Sequence, residues 1–264
     1  MFDYHVHSGL SFDGRESISA FCQKALELQL KELCFTEHIE LDHIYQTDWD
    51  GKVDFDEYSR QIADARKKYP ALLIKQGLEA GLQPGNINET TDYLRGKPLD
   101  FIVASQHVAK GKDPYTDRDY FRGRPEHEVV KEFLDETSHC LQVFDDFDVV
   151  GHLSFATFYS PSGTPLEYGS YAEPLEPLLK NLVERGKGLE ANTTGYYIFD
   201  APQASFSVLK RFRELGGEIV TIGSDAHFTI ALGHAYQAAA QVLQLAGFRY
   251  VCTFSQRQPV FHKL

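Results

Sequence analysis

Seven times between residues 2 and 225, a short apolar run gives way to a stretch whose apolar residues recur at helical spacing. The runs are FDYHVH (2–7), ELCFTEH (32–38), ALLIKQGLE (71–79), DFIVASQH (100–107), DVVGHLS (148–154), KGLEAN (187–192) and EIVTIGSD (218–225). A further run, FRYVCTF (248–254), lies close to the C-terminus. Between the runs, Leu175, Leu178, Leu179, Leu182 and Val183 make one buried-helix stripe. Ile18, Phe21, Cys22, Ala25 and Leu26 make another, with Ser17 as its expected cap, and Val130, Phe133, Leu134, Leu141 and Phe144 make a third. Strands alternating with helices imply a parallel α/β sheet. Seven such units suit a closed or nearly closed barrel better than an open sheet.

The chain has 264 residues, 42% of them hydrophobic, enough for one barrel of ~250 residues, so residues 1–264 are read as a single domain. A net charge of -12 argues against nucleic acid or an anionic membrane surface as the main partner. The first residues lack the basic-then-apolar layout of a signal peptide, and no apolar run approaches the ~18 residues of a membrane span. Cys22, Cys34, Cys140 and Cys252 are scattered and form no CxxC pair, so a cytoplasmic location is expected. Oligomeric state is not legible.

In a parallel barrel, reactive residues collect at the C-terminal ends of the strands. The first run carries His5 and His7, two residues apart and therefore on one face of a strand. The second ends in Glu37 and His38, the third in Glu79, the fourth in His107. The fifth carries His152, the sixth ends in Glu190-Ala191-Asn192, and the seventh in Asp225, with His227 beyond. Asp13 lies in the first loop, on the same rim. Six of the eleven histidines fall at these ends. Each has a plainer reading. His107 or His152 alone could be a hydrogen-bonded core histidine, Glu79 could pair with Lys75 four residues before it, and Asp225 could cap a helix. All these readings would have to hold together, on one rim, to displace the joint one.

Imidazole and carboxylate are usual ligands of Zn, Mn and Fe. Nine of them (His5, His7, Asp13, His38, Glu79, His107, His152, Asp225, His227) exceed what one ion needs and suit three. Three carboxylates at about -3 against three divalent ions at about +6 leave the site at about +3, which welcomes an anionic substrate on an acidic protein.

These residues carry a resemblance. HVH (5–7), Asp13 in SFDG, TEH (36–38), Glu79 in GLEAG, SQH (105–107), GH (151–152), EANTTG (190–195) and SDAH (224–227) resemble, in order, the motifs of the PHP (polymerase and histidinol phosphatase) family of metal-dependent phosphoesterases. The resemblance implies a distorted (β/α)7 TIM-like barrel with its active site at the C-terminal ends of the strands. It implies a first metal on His5, His7, Glu79 and Asp225, and a second sharing Glu79 and adding His107 and His152. The third would take Asp13, His38 and His227. Asp13 departs from the histidine that many members place there. Glu79, Asp225 and His227 are implied as catalytic.

TEH in place of the commoner TDH, and the long insertion between His107 and His152, point to the stand-alone histidinol-phosphate phosphatase branch, which serves histidine biosynthesis. That branch hydrolyses a small phosphorylated amino alcohol, with hydroxide attacking phosphorus in line with the leaving alkoxide. For the substrate phosphate, Arg122 and Arg124 in DPYTDRDYFRGRPEH (113–127), with its aromatic rings, and Arg15 are candidates. Asn192 could bond the substrate or cap the next segment, and Glu37, Glu40 or Asp42 could meet an amine. The proton donor is not assignable. The rival readings are a PHP enzyme acting on phosphotyrosine or another ester, and an amidohydrolase-like metallohydrolase. The latter usually has a bridging lysine where Glu79 stands.

Overall fold

The structure, a computed structural model, describes residues 1–41 and 51–264. Seven strands form one parallel sheet in chain order: β1 (Phe2–Asp3), β2 (Glu32–Ile39), β3 (Leu73–Gly81), β4 (Phe101–Ser105), β5 (Val149–Val150), β6 (Gly188–Asn192) and β7 (Val220–Gly223). The sheet curls back on itself. The Tyr4 N–H donates to the Ile222 carbonyl at 3.1 Å, and Val6 pairs in parallel with Ala226. The result is the distorted (β/α)7 barrel that the resemblance implies, built from the seven units of the alternation.

The helices between the strands are α1 (Ile18–Glu27), α2 (Phe55–Lys68), α3 (Ile87–Leu94), α4 (Glu126–Val143), α5 (Phe155–Phe158), α6 (Ala172–Glu184), α7 (Phe206–Glu214) and α8 (Tyr236–Leu245). Ser17 caps α1 as expected, its hydroxyl accepting from the Ala20 N–H at 3.2 Å. Leu175, Leu178, Leu179 and Leu182 of α6 are buried against the sheet. Each contributes about 1.5–3 kcal/mol of transfer free energy. Leu26, expected in the buried stripe of α1, is exposed, because the stripe ends one residue earlier at Ala25.

Strand limits differ from the apolar runs in two places that matter. The first run is a strand only at Phe2–Asp3, with Val6 rejoining the sheet later through its single bridge. The fifth is a strand only at Val149–Val150, so His152 stands beyond the strand end. The run near the C-terminus is not a barrel strand. It forms β8 (Tyr250–Ser255), antiparallel to β9 (Gln258–Lys263).

This hairpin covers the N-terminal ends of the strands. Cys252 and Phe254 pack with Tyr4, Cys34, Phe101, Val103 and Val149. Tyr4 donates its hydroxyl to Glu32 and accepts from the Phe254 N–H at 2.7 Å. Arg257 bonds Asp148 at 2.6 Å and Asp146 at 2.7 Å. With that end plugged, the C-terminal ends remain open for chemistry. Among the described residues, no helix is long and apolar enough to cross a membrane.

Candidate metal centre

The register of the barrel strands brings together residues far apart in the chain. His38 on β2 sits directly across from Glu79 on β3, because Glu32 is paired with Leu73 and the two strands run in step. Glu79 is fully buried, and five imidazoles face its carboxylate. His38 Nδ1 is 2.9 Å away, His152 Nε2 2.9 Å, His5 Nε2 3.3 Å, His7 Nε2 3.4 Å and His107 Nε2 3.4 Å. Asp225 Oδ1 lies 3.3 Å from His7 Nε2 and 3.6 Å from His5 Nε2. Nearer solvent, Asp13 Oδ2 lies 3.1 Å from His227 Nε2 and 3.4 Å from His38 Nε2, and its side chain is 35% exposed. All nine residues singled out in the sequence therefore converge on one mouth of the barrel.

Asp225 does not cap a helix. Its backbone is left-handed, with φ at 53°, and turns the side chain inward; its carbonyl receives the His227 Nδ1 at 2.9 Å. Lys75 is not the partner of Glu79. Its ammonium approaches Glu32 at 3.9 Å and Asp100 at 4.0 Å, at the opposite end of the strand. Four residues of extended chain separate the two backbone positions by roughly 13 Å.

The electrostatics are those of a cation site. Burial pushes the Glu79 carboxyl up, but His5, His107 and His38 outweigh it and hold it well below the usual range. Asp225 behaves alike, with burial opposed by His5, His7 and His227. Burial lowers the His107 imidazole, yet Glu40 and Glu79 raise it to about 10. His7, buried beside His38 and His227, is pushed down to about 3.

The donor set fits divalent ions. His5 Nε2, His7 Nε2, both ring nitrogens of His38, His227 Nε2, Glu79 Oε2 and Asp13 Oδ1 are buried without a hydrogen-bond partner. Leaving so many polar atoms unpaired costs several kcal/mol in total unless a ligand meets them. Four triads each bring their donor atoms within 4.8 Å of one another: His7-His38-His227, His5-His7-Asp225, His5-Glu79-His152 and His38-Glu79-His107. The triads overlap and cross the division by metal that the resemblance implies, since His38 stands with Glu79 and His107 as well as with His227.

The substrate candidates fare differently. Arg122 pairs with Asp119 at 2.8 Å and Arg124 with Glu132 at 2.6 Å, both as surface ion pairs within or next to their own loop. Arg15 is exposed beside Asp13 and donates to the carbonyls of Phe12 and Gly14. Asn192 is buried and engaged at both ends. Its oxygen caps the following turn at Thr194, and its amide donates to Glu190 at 3.1 Å and Asp225 at 3.4 Å. Glu37 is buried between Ser8 and Ser11, whose hydroxyls donate to it at 2.6 and 2.5 Å. Asp42 lies outside the described residues.

Two carboxylates have a place that the sequence reading did not give them. Glu190 accepts from His5 Nδ1 at 2.7 Å and from the His152 N–H at 2.9 Å. Glu40 lies 2.5 Å from His107 Nδ1. The signal available for Glu40 was its two-residue offset from His38, which puts both on one face. Phe155 of α5 packs on His107 and His152, with ring centroids 5.0 and 5.2 Å away, and Tyr159 packs on Phe155 at 5.1 Å.

A parallel barrel with a buried cluster of imidazoles and carboxylates at its C-terminal mouth defines a metallohydrolase of the PHP class, and the chain belongs to the PHP domain family, which matches residues 3–194. Its relatives are narrower in kind. The histidinol-phosphatase of Lactococcus lactis subsp. lactis (strain IL1403) is 28% identical over 258 residues, covering 96% of this chain and 94% of that protein. The probable histidinol-phosphatase of Clostridium acetobutylicum is 26% identical, covering 92% and 93%. The crystal structure of the L. lactis histidinol phosphate phosphatase, complexed with zinc, L-histidinol and phosphate, matches with a TM-score of 0.86 at 26% identity, over 98% of both chains.

Proposed function

We propose that this protein is a metal-dependent phosphomonoesterase that hydrolyses L-histidinol phosphate to L-histidinol and phosphate. One observation carries the reading: the likeness to a histidinol phosphate phosphatase holding zinc, L-histidinol and phosphate runs the length of the chain. The convergence of nine ligand-type side chains on one mouth supports it. We read residues 1–264 as one domain, since a single apolar cluster runs from Val6 to Val251. Four buried, unbridged cysteines suit a reducing compartment such as the cytoplasm.

Three divalent ions, drawn from Zn, Mn and Fe, would be held by His5, His7, Asp13, His38, Glu79, His107, His152, Asp225 and His227. Such ions supply Lewis acidity toward phosphoryl oxygens and a hydroxide nucleophile near neutral pH. The chain's own residues do the rest. Glu79 joins the two sides of the cluster, each of its oxygens facing a different set of imidazoles. Asp225 and His227 hold the wall nearer solvent, and Asp13 closes it. The phosphate enters from this side, where the ligand side chains are partly exposed. Arg15 is the one proposed arginine that is not committed to a carboxylate among the described residues, and we assign it the outer edge of the phosphate position.

The test is to purify the protein, count metals per chain, and compare kcat/KM for histidinol phosphate, p-nitrophenyl phosphate and a phosphotyrosine peptide. A large preference for histidinol phosphate is expected. Equal slow rates on all three, or a preference for the peptide, would overturn the substrate assignment while leaving the family intact.

A further inference from the structure

We propose that Glu40 and Glu190 are positioning residues for the metal centre, each reaching its histidine through a gap left by a glycine on the strand it crosses. The inference rests on the metal reading above and adds to it how two of the ligands are aimed.

The geometry is the same on both sides of the barrel. Glu40 follows β2 and His107 follows β4, so β3 lies between them. Ile39 pairs with Ala80, which places Glu40 beside Gly81. A Cβ at Gly81 would overlap both carboxylate oxygens of Glu40. Only a residue without a side chain lets that carboxylate cross β3 to His107 Nδ1, 2.5 Å away. On the far side, Glu190 is on β6 and His5 follows β1, with β7 between them. Asn192 pairs with Gly223, and a Cβ at Gly223 would overlap Glu190 Oε1 and crowd the Cβ of His5. Again the missing side chain opens the path, and Glu190 Oε1 meets His5 Nδ1 at 2.7 Å.

The chemical consequence is a choice of tautomer. A buried carboxylate against Nδ1 keeps the proton on that nitrogen and leaves the Nε2 lone pair free. In both residues Nε2 is the atom that faces Glu79, at 3.3 Å for His5 and 3.4 Å for His107. With the proton moved to Nε2, either ring would present a donor where a ligand is needed. Glu190 does more than orient one ring. Its second oxygen holds the backbone N–H of His152, so one carboxylate sets a ligand just after β1 and the turn carrying another after β5.

Three variants and one measurement on the unaltered chain test this, with zinc as the probe. In ¹⁵N-histidine NMR of the zinc-loaded wild type, His5 and His107 should both be Nδ1–H tautomers. E40Q and E190Q should each lower zinc affinity by about 10- to 100-fold, judged by metal retained against a chelator, with kcat falling more than KM changes. G81A removes no polar group, yet it should weaken zinc binding as E40Q does. An Nε2–H tautomer at either histidine in the wild type overturns the proposal and needs no variant to fold. So do folded E40Q and E190Q proteins that hold zinc within about twofold of wild type. A wild-type chain that takes up no zinc overturns the metal reading itself, and this inference with it.

Discussion

Glu79 and His38, separated by forty residues of chain, occupy paired positions on neighbouring parallel strands, and their side chains meet at 2.9 Å. The same carboxylate meets His152 at 2.9 Å through its other oxygen. It is therefore the residue whose loss should disturb most of the cluster at once. Glu79→Gln keeps the shape and removes the charge that five imidazoles face. Metal content should drop, and turnover should fall by more than the roughly 10- to 100-fold typical of an outer partner. Full metal loading with unchanged activity would contradict this role, and elemental analysis beside steady-state kinetics decides it.

Asp13 is the most exposed of the nine, and among the described residues its ion-pair partners are His38 and His227. Asp13→Ala should lose metal from that corner, whereas Asp13→His, which restores a ligand of another type, should retain it. Metal counting on both variants checks the contrast. Equal loss in the two would mean that the carboxylate shape, and not ligation as such, is what the corner requires.

The arginines separate cleanly by their partners. Arg122 and Arg124 are held in surface ion pairs, so replacing either by alanine should leave kcat/KM for histidinol phosphate within about twofold. Arg15→Ala should raise KM and leave kcat nearly unchanged. The reverse ranking would move the phosphate position to the loop after β4.

The plug at the other end of the barrel predicts a pH effect. Burial pushes the Asp148 carboxyl up from 3.8, and Arg257 pulls it back. In Arg257→Leu burial is opposed by the Ile102 N–H and Lys187 without the guanidinium, so the folded pKa climbs further above the unfolded one. The native state then binds the proton more tightly, and stability is lost as pH rises between the two values. Relative to wild type, the variant should be destabilised by about 2 kcal/mol at pH 7 and by less at pH 4. Urea midpoints at the two pH values measure it, and a deficit that is larger at pH 4 would reverse the sign.

In the core, Leu179→Ala should cost about 2–5 kcal/mol, because its side chain is wholly buried and the neighbouring leucines of α6 cannot all close the gap. Metal stoichiometry should not change. Loss of metal in a folded Leu179→Ala protein would show that the sheet and the centre are less independent than the structure implies.

Much of the architecture was legible in local pattern. The stripe on α6 and the Ser17 cap follow from residue type at fixed spacing, and a helix needs little else to be recognised. The strand ends were less so. Val149–Val150 is all that pairs in its run, and His152 lies past it, because ladder hydrogen bonds depend on a neighbouring strand that the local sequence does not contain. The run near the C-terminus was visible as apolar, but its backward pairing in a hairpin was not, since that choice is made by what remains uncovered at the bottom of the barrel.

By itself, the sequence determined the kinds of donor and the side of the barrel they occupy. Imidazole and carboxylate chemistry is a property of the residue, and the strand-end rule needs only the order of elements. Tertiary structure alone decided which donors meet. The register of β2 against β3 sets His38 opposite Glu79, and the absence of side chains at Gly81 and Gly223 lets Glu40 and Glu190 reach across a strand. Those contacts depend on space between elements distant in the chain, and space of that kind is written in no single segment.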